Sequence, residues 1–335
     1  MQSYSDKFSD SQKEKYSTEI PDIPKRLLLG LNDGYCNLKC PGCYVHGAND
    51  GQAVKQLRGD MPFDEACKIF EEVKDRGIFL SPVLWSEPLL IKDLHKYVRV
   101  MKERGLHTFI NTNGLLLTEE LAQFFVSAQI HTIFVSIDAM TGKTLKKVRG
   151  IADLDKIQEA VFRMLRVRED RIAPRIGVSF VESKMNTNER DDFVSYWLQY
   201  VDVVRVNDVY EADNKVRKSD LPQKRVPCGS LYDTMAINHK GDVPICCLDS
   251  FNVTNMGNVF REGVKNVWHG ERFQEARYYH EIGQYEKIPF CKNCDVWSHY
   301  LIEETESDGI LIRKSPIMTY YNRIDRLFTW HSRIR

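Results

Sequence analysis

The chain carries no net charge: 47 Lys and Arg residues balance 47 Asp and Glu residues. That balance argues against nucleic acid and against an acidic membrane surface as partners. No apolar run approaches the ~20 residues that cross a bilayer, so no membrane span is expected. The stretch 1–22 is polar and has no apolar core of the kind a secretion signal needs. It reads as a solvated arm, and the cytoplasm is the expected compartment. There is no internal repeat and no low-complexity tract. A disulfide scaffold is not expected on the same grounds, because a reducing compartment keeps thiols free. The chain nevertheless has 9 cysteines. Clustered thiols in such a compartment are metal ligands more often than staples.

The 335 residues are 42% hydrophobic and 11% aromatic. That is enough for one large core, or for a large and a small one. Between 25 and 208 strand-like and helix-like segments alternate. Strands are expected over 26–31, 78–85, 107–111, 131–137, 175–181 and 203–206. Helices are expected over 63–76, 92–104, 118–128, 153–169 and 188–200. In the first of these, Phe63, Ala66, Cys67, Phe70 and Val73 recur at helical spacing, which assigns Cys67 to the core. Thr118 stands as an N-cap ahead of Glu119 and Glu120. Strands alternating with helices imply a parallel sheet with right-handed crossovers. The expected fold is α/β, a partial (β/α)6 barrel with its chemistry at the carboxyl ends of the strands.

Beyond 208 the rhythm breaks. The charged stretch 211–226 reads as a linker, and 235–238 with 242–245 read as a hairpin about His239, Lys240 and Gly241. The expected division is a polar arm over 1–23, the barrel over 24–210, a small α+β domain over 211–309 and a basic, aromatic tail over 310–335. In that tail Arg313, Lys314, Arg323, Arg326, Arg333 and Arg335 face one acid, Asp325, with Tyr320, Tyr321, Phe328 and Trp330 between them. An amphipathic helix docked on the barrel is the expected structure, and a basic patch for a phosphorylated substrate is the alternative.

Cys36, Cys40 and Cys43 follow the first strand at C-x3-C-x2-C spacing. Three thiolates can hold three irons of a 4Fe–4S cube and leave the fourth iron open to a small molecule. The competing reading is structural zinc, which takes four ligands. His46 is the only local candidate for the fourth. Further landmarks stand at the ends of the later strands: Ser86, Glu87 and Pro88 after the second, Thr112, Asn113 and Gly114 after the third, Ser136 and Asp138 at the fourth, and Arg149 with Gly150 in the next loop.

In this order the motifs resemble the radical S-adenosylmethionine (SAM) superfamily, over about Pro24 to Asp208. The family has a Gly-Gly-Glu-Pro segment where this chain has Trp85, Ser86, Glu87 and Pro88. It often has an aromatic residue before the third cysteine, where Gly42 stands here and Tyr44 comes one place after it. The backbone of that Gly-Gly-Glu-Pro segment binds the SAM amine in the family, and Trp85 is expected to crowd the approach. The resemblance implies that Cys36, Cys40 and Cys43 hold a 4Fe–4S cluster and that SAM binds its open iron. One electron then cleaves SAM to methionine and a 5′-deoxyadenosyl radical, which takes hydrogen from a substrate C–H bond. Tyr44, Ser86, Glu87, Pro88, Thr112, Asn113, Ser136, Asp138 and Arg149 are the implied SAM-site residues. An external one-electron reductant such as flavodoxin or ferredoxin is implied as a partner.

Cys228, Cys246, Cys291 and Cys294 offer four more thiolates, a set that suits zinc or a second 4Fe–4S cluster. After a radical SAM barrel, the arrangement resembles the twitch domain, the shortened SPASM domain with one auxiliary cluster, so two clusters are expected in all. In layout it is similar to the radical SAM dehydrogenases that oxidise a secondary alcohol of an aminocyclitol. The implied function is oxidation, or epimerisation, of an alcohol carbon in a carbohydrate-like or aminocyclitol small molecule, with the auxiliary cluster taking an electron. Cys247, beside a ligand, is a candidate hydrogen-atom donor for epimerisation. The alternatives are a maturase of a ribosomally made peptide and a non-enzymatic zinc scaffold.

Overall fold

The computed structural model describes residues 18–47, 52–209, 221–222 and 224–331. Most of the expected arm and most of the expected linker over 211–226 lie outside the described residues. Strand β1 is Arg26–Leu29, β2 Asn32–Asp33 and β3 Gly59–Asp60, with helix α1 (Gln52–Leu57) leading into β3. Then follow α2 (Phe63–Glu72), β4 (Phe79–Ser81), α3 (Leu94–Glu103), β5 (His107–Thr112), α4 (Glu119–Ser127) and β6 (Thr132–Ser136). Next come α5 (Gly142–Arg149), α6 (Leu154–Arg168), β7 (Arg175–Glu182), α7 (Arg190–Trp197) and β8 (Val203–Asp208).

Strands β1, β4, β5, β6, β7 and β8 pair in that order, all parallel, which is the expected (β/α)6 arrangement. Helices close one face, and the core lies between them and the sheet: Leu27, Ile110, Ile133, Val178 and Val204 are fully buried there. The Thr118 hydroxyl accepts from Leu121 N at 3.2 Å, as its N-cap role requires. On α2 the buried face is Ala66, Ile69 and Phe70. Cys67 stands at its edge, half-buried, so it is not the core residue its spacing suggested. Helix α5 was not expected. It starts at Thr141, whose hydroxyl accepts from Thr144 N at 3.2 Å, and it carries Arg149 at its last position.

The second region differs from expectation in two ways. It contains α8 (Ser230–Asp233), β9 (Thr234–Ile237), β10 (Asp242–Pro244), β11 (Asn255–Asn258), α9 (Val259–Glu262), α10 (Val264–Trp268) and α11 (Glu271–Glu281). The expected hairpin of 235–238 with 242–245 does not form. Strand β9 instead joins the barrel sheet, parallel to β1, and β10 pairs with β11. The reason is burial: every residue of β9 is buried, and the open edge of β1 satisfies its backbone groups.

The tail is also not one helix. Strands β12 (Glu303–Ser307), β13 (Ile310–Ser315) and β14 (Met318–Arg323) form an antiparallel meander that continues the sheet from β8, and only α12 (Ile324–His331) is helical. The turn between β12 and β13 is Asp308-Gly309, with φ of 50° and 76°. Left-handed values at both turn residues define the two-residue turn that matches strand twist.

Candidate active site

The carboxyl ends of the barrel strands surround a cavity of about 470 Å³. Cys36, Cys40 and Cys43 line it. So do Tyr44, Ser86, Glu87, Thr112, Asn113, Ser136, Asp138, Arg149 and Cys247, each picked out from the sequence. Pro88 does not line it; it is buried as the first residue of the 3-10 turn Pro88–Leu90.

The three thiols sit on a tight loop. Cys43 N donates to Cys40 O at 2.9 Å, Leu38 N donates to Cys36 Sγ at 3.4 Å, and His46 N donates to Cys43 Sγ at 3.3 Å. Burial pushes the Cys36 thiol up to about 11, with Glu87, Cys40 and Cys43 adding to it. Burial also raises Cys40, against the pull of the Arg149 guanidinium. Such thiols ionise when a metal supplies the missing positive charge. They lie close enough to perturb one another, yet no three Cys, His, Asp or Glu side chains among the described residues converge on the position of one metal ion. A cube, which offers each thiolate its own iron, fits that arrangement. A single tetrahedral zinc does not.

Glu87 is 3% exposed and fully engaged by protein. Its Oε1 accepts from Thr112 Oγ1 at 2.5 Å and from Leu89 N at 3.1 Å, and its Oε2 accepts from Asn113 N at 2.8 Å. Burial still pushes its carboxyl above the ordinary range. Glu87 therefore shapes the wall by holding the loop after β5 against the segment after β4. Ser86 Oγ donates to Asn32 Oδ1 at 2.9 Å, which ties its segment to β2, and Asn113 Nδ2 donates to Asn37 Oδ1 at 2.7 Å, which ties the other to the cysteine loop. Arg149 pairs with Asp138 at 2.6 Å, and both side chains are largely buried. Asp138 Oδ1 also accepts from Val181 N at 2.7 Å, so the pair is anchored on β7. The pair stands beside Cys40, where the Arg149 guanidinium favours the thiolate and the Asp138 carboxylate opposes it. Ser136 accepts from Ser179 Oγ at 3.1 Å.

The second thiol group lies in the region after the barrel. Cys228 precedes α8, Cys246 follows β10, and Cys291 and Cys294 share a turn in which Cys294 N donates to Cys291 O at 3.2 Å. Burial, then Cys294 and Cys291, raise the Cys228 thiol. Burial, then Cys247, Cys291 and Cys228, raise Cys246. Burial and Cys294 push Cys291 up to about 12. The four thiols thus form one electrostatic group. Arg225 stands over it, donating to Cys291 O at 2.6 Å and opposing the rise at Cys291 and Cys294.

Trp85 joins the two thiol groups. Its indole Nε1 donates to Cys247 O at 2.7 Å, and its own carbonyl lies 2.8 Å from His46 Nε2. Its ring packs on Val45, with Cys43 and Tyr44 alongside. Tyr44 meets Phe251 edge-on at 6.1 Å, which makes a second bridge between the same loops. The sequence marked Trp85 only as a departure from a motif. Asn111, on the cavity wall, and Arg205 behind it were not singled out at all. Their signal was polar residues at inward positions of β5 and β8.

The radical SAM superfamily matches residues 34–172, and the iron–sulfur cluster-binding SPASM domain matches residues 228–295. The chain thus carries a radical SAM domain followed by a SPASM domain. It is a radical SAM enzyme with a SPASM domain, and its cofactors are SAM and iron–sulfur clusters. The zinc-scaffold reading falls with that finding. A tungsten-containing aldehyde ferredoxin oxidoreductase cofactor-modifying protein from Pyrococcus furiosus is 23% identical over 312 residues, 78% of this chain and 85% of that protein. Among solved structures, BtrN in complex with AdoMet and 2-DOIA has a TM-score of 0.53 at 18% identity, covering 81% of this chain and 93% of BtrN. Streptococcus suis SuiB bound to the precursor peptide SuiA has a TM-score of 0.63 at 18% identity, covering 77% of this chain and 67% of SuiB. These likenesses show the fold and do not choose a substrate. No helix among the described residues is long and apolar enough to cross a membrane.

Proposed function

We propose that this enzyme, acting in the cytoplasm, takes a hydrogen atom from an alcohol carbon of a carbohydrate-like small molecule and oxidises that carbon to a ketone. The observation that carries the reading is the shared cavity: the triplet, the polar strand ends and Cys247 of the second domain line one space of about 470 Å³, within the range of small-molecule sites. Cys36, Cys40 and Cys43 would hold the first cluster, and Cys228, Cys246, Cys291 and Cys294 the second. When bound, the first supplies the electron that cleaves SAM, delivered by flavodoxin or ferredoxin, and the second supplies an acceptor for the electron left on the substrate. The residues of the chain do the rest. Asp138 and Arg149 fix an ion pair beside Cys40, Glu87 holds the wall, and Cys247, Leu248 and Ser250 of the second domain complete the lining. The oxidation balances: one hydrogen atom leaves carbon, and one proton and one electron leave the resulting radical.

Epimerisation is a second reading, favoured by Cys247 on the cavity wall, from which a thiol can return a hydrogen atom. Anaerobic incubation with SAM, a reductant and a panel of cyclitols and sugars tests both readings. Ketone formation with 5′-deoxyadenosine supports oxidation. Solvent deuterium at an inverted carbon, lost in Cys247→Ala, supports epimerisation. Turnover of a ribosomally made peptide alone would overturn both. Two cubes predict about eight irons per chain and about four in Cys291→Ala. Four in the wild type would remove the acceptor and with it the oxidation.

A further inference from the structure

Strand alternation fixes what faces the inside of the barrel. The pairings Asn111 with Phe134, Phe134 with Gly177, Ser179 with Arg205, and Arg205 with Tyr320 place these residues on the face away from the helices. Arg26, at the start of β1, shares that face, opposite to the fully buried Leu27 and Leu29. Arg26 is exposed even so, and the groups that act on its charge are Asp233, Tyr300, Tyr320 and Cys247. The interior face of the barrel thus carries a cation at the start of β1.

Arg205 is the second cation there. Its guanidinium lies 4.5 Å from the centroid of the Phe134 ring, and its Nη2 donates to Asn111 Oδ1 at 3.0 Å. The ring has room because residue 177 is glycine: a Cβ there would lie 2.5 Å from the Phe134 edge. Arg205 has no carboxylate partner among the described residues, and its Nε is buried without a hydrogen bond. The nearby carboxylates are committed elsewhere, Glu87 to Thr112 and Asn113, and Asp138 to Arg149. Asp208 is three positions further along β8, about 10 Å away along a strand. His299 also faces Arg26 and Arg205. Its Nδ1 is buried without a partner, and burial with those two charges pushes it down to about 4, so it adds no charge at neutral pH. A rigid guanidinium with free donors, stacked on a ring and paired only to an amide, is a receptor for a planar or tetrahedral oxyanion.

We propose that Arg205, steadied by Asn111 and Phe134, binds an anionic group of the substrate, carboxylate or phosphate, behind the cavity that holds the cysteine triplet. The subsite adjoins that cavity through two of its lining residues, since Asn111 carries Arg205 and Cys247 feels Arg26. This rests on the proposed carbohydrate-like substrate and narrows it to an acidic or phosphorylated one, because a protonated amine would be repelled here.

The test is read by binding rather than by turnover, so it stands or falls apart from the radical chemistry. Inorganic phosphate and acetate are titrated into the anaerobic, cluster-loaded enzyme at constant ionic strength, with chloride as the screening control, and thermal unfolding is followed. The wild type is expected to be stabilised by at least one of the two anions. Arg205→Gln should bind that anion about tenfold or more weakly, with Arg205→Lys between them. Asn111→Asp, which keeps the arginine but supplies a carboxylate partner, should lose the effect as well and serves if Arg205→Gln does not fold. A larger shift with phosphate assigns a phosphorylated substrate, and a larger shift with acetate a carboxylate. No shift beyond chloride in the wild type, or equal shifts in wild type and variants, overturns the proposal.

Discussion

Replacing Glu87 by Gln separates two roles that its position allows, contact with SAM and support of the cavity wall. The carboxylate takes three donors: Thr112 Oγ1 and Leu89 N on one oxygen, and Asn113 N on the other. A glutamine amide has one oxygen and one NH2, so at least one buried donor is left facing another donor. An unsatisfied buried polar group costs about 1–3 kcal/mol. The wild-type carboxyl is itself pushed up by burial, and losing that penalty offsets part of the cost. The expected net loss is about 1–2 kcal/mol, local to the segments after β4 and β5. Native-state hydrogen exchange reads it directly, without SAM present. Amides near Leu89 and Asn113 should exchange about 5–30 times faster in Glu87→Gln than in the wild type, while those of α6 and α7 stay the same. Unchanged exchange at Leu89 and Asn113, together with weakened SAM binding, would refute the reasoning and make Glu87 a direct SAM contact.

Two further perturbations act elsewhere. Trp85→Phe keeps an aromatic ring against Val45, though a smaller one, and removes the donor to Cys247 O. Exchange over 246–250 is expected to rise about fivefold, with a changed electron paramagnetic resonance signature of the second cluster at unchanged iron content; an unaltered signature would mean that the indole bond positions nothing. His131 is pushed down to about 3 by burial, then by His107 and Arg175. Because its unfolded value is near 6.5, the unfolded chain takes up the proton first, so this contribution is intact above pH 6.5 and is lost as pH falls toward 3. By pH 5 the loss is on the order of 2 kcal/mol. His131→Gln should therefore lose less stability than the wild type between pH 7 and pH 5 in denaturant titrations, and parallel losses would count against it.

The barrel could be read from sequence because each of its signals is local. Buried strands such as Val203–Asp208 and β7 show as short β-branched runs, and Thr118 shows the start of α4. The pairing of β9 with β1 has no such signal, since it joins residues some 200 positions apart, 26 with 234. The local pattern of 234–237 is equally that of a hairpin arm, and only the open edge of β1 decides between them. The meander is only half legible: Asp308-Gly309 ahead of Ile310, Leu311 and Ile312 is a hairpin signal, but the strand before it, Glu303–Ser307, is acidic and has Thr305 as its one β-branched residue. The site divides in the same way. Cysteine spacing is chemistry written in one segment, so the triplet was visible, whereas Arg205 is functional only in the company of Asn111, Phe134 and Gly177, from three other strands.

The residue in place of the motif's glycine now has a physical account. A glycine at position 85 could offer its backbone but could not reach the second domain. Trp85 does both: its carbonyl faces His46 on the first cysteine loop, and its indole donates to Cys247 on the second. With Tyr44 against Phe251, two aromatic bridges link the loops that carry Cys43 and Cys246. The second domain is seated on the barrel by β9 against β1 and by Glu72, which accepts from Val264 N and Lys265 N, so the bridges act on the loops themselves. A chemistry that passes a hydrogen atom at one group and an electron at another needs that separation held constant, because a misplacement of even 1 Å lowers rates steeply. The tryptophan therefore does more than crowd the mouth of the barrel. It fixes the Cys247 loop against the first cysteine loop, on a domain that β9 already seats against β1.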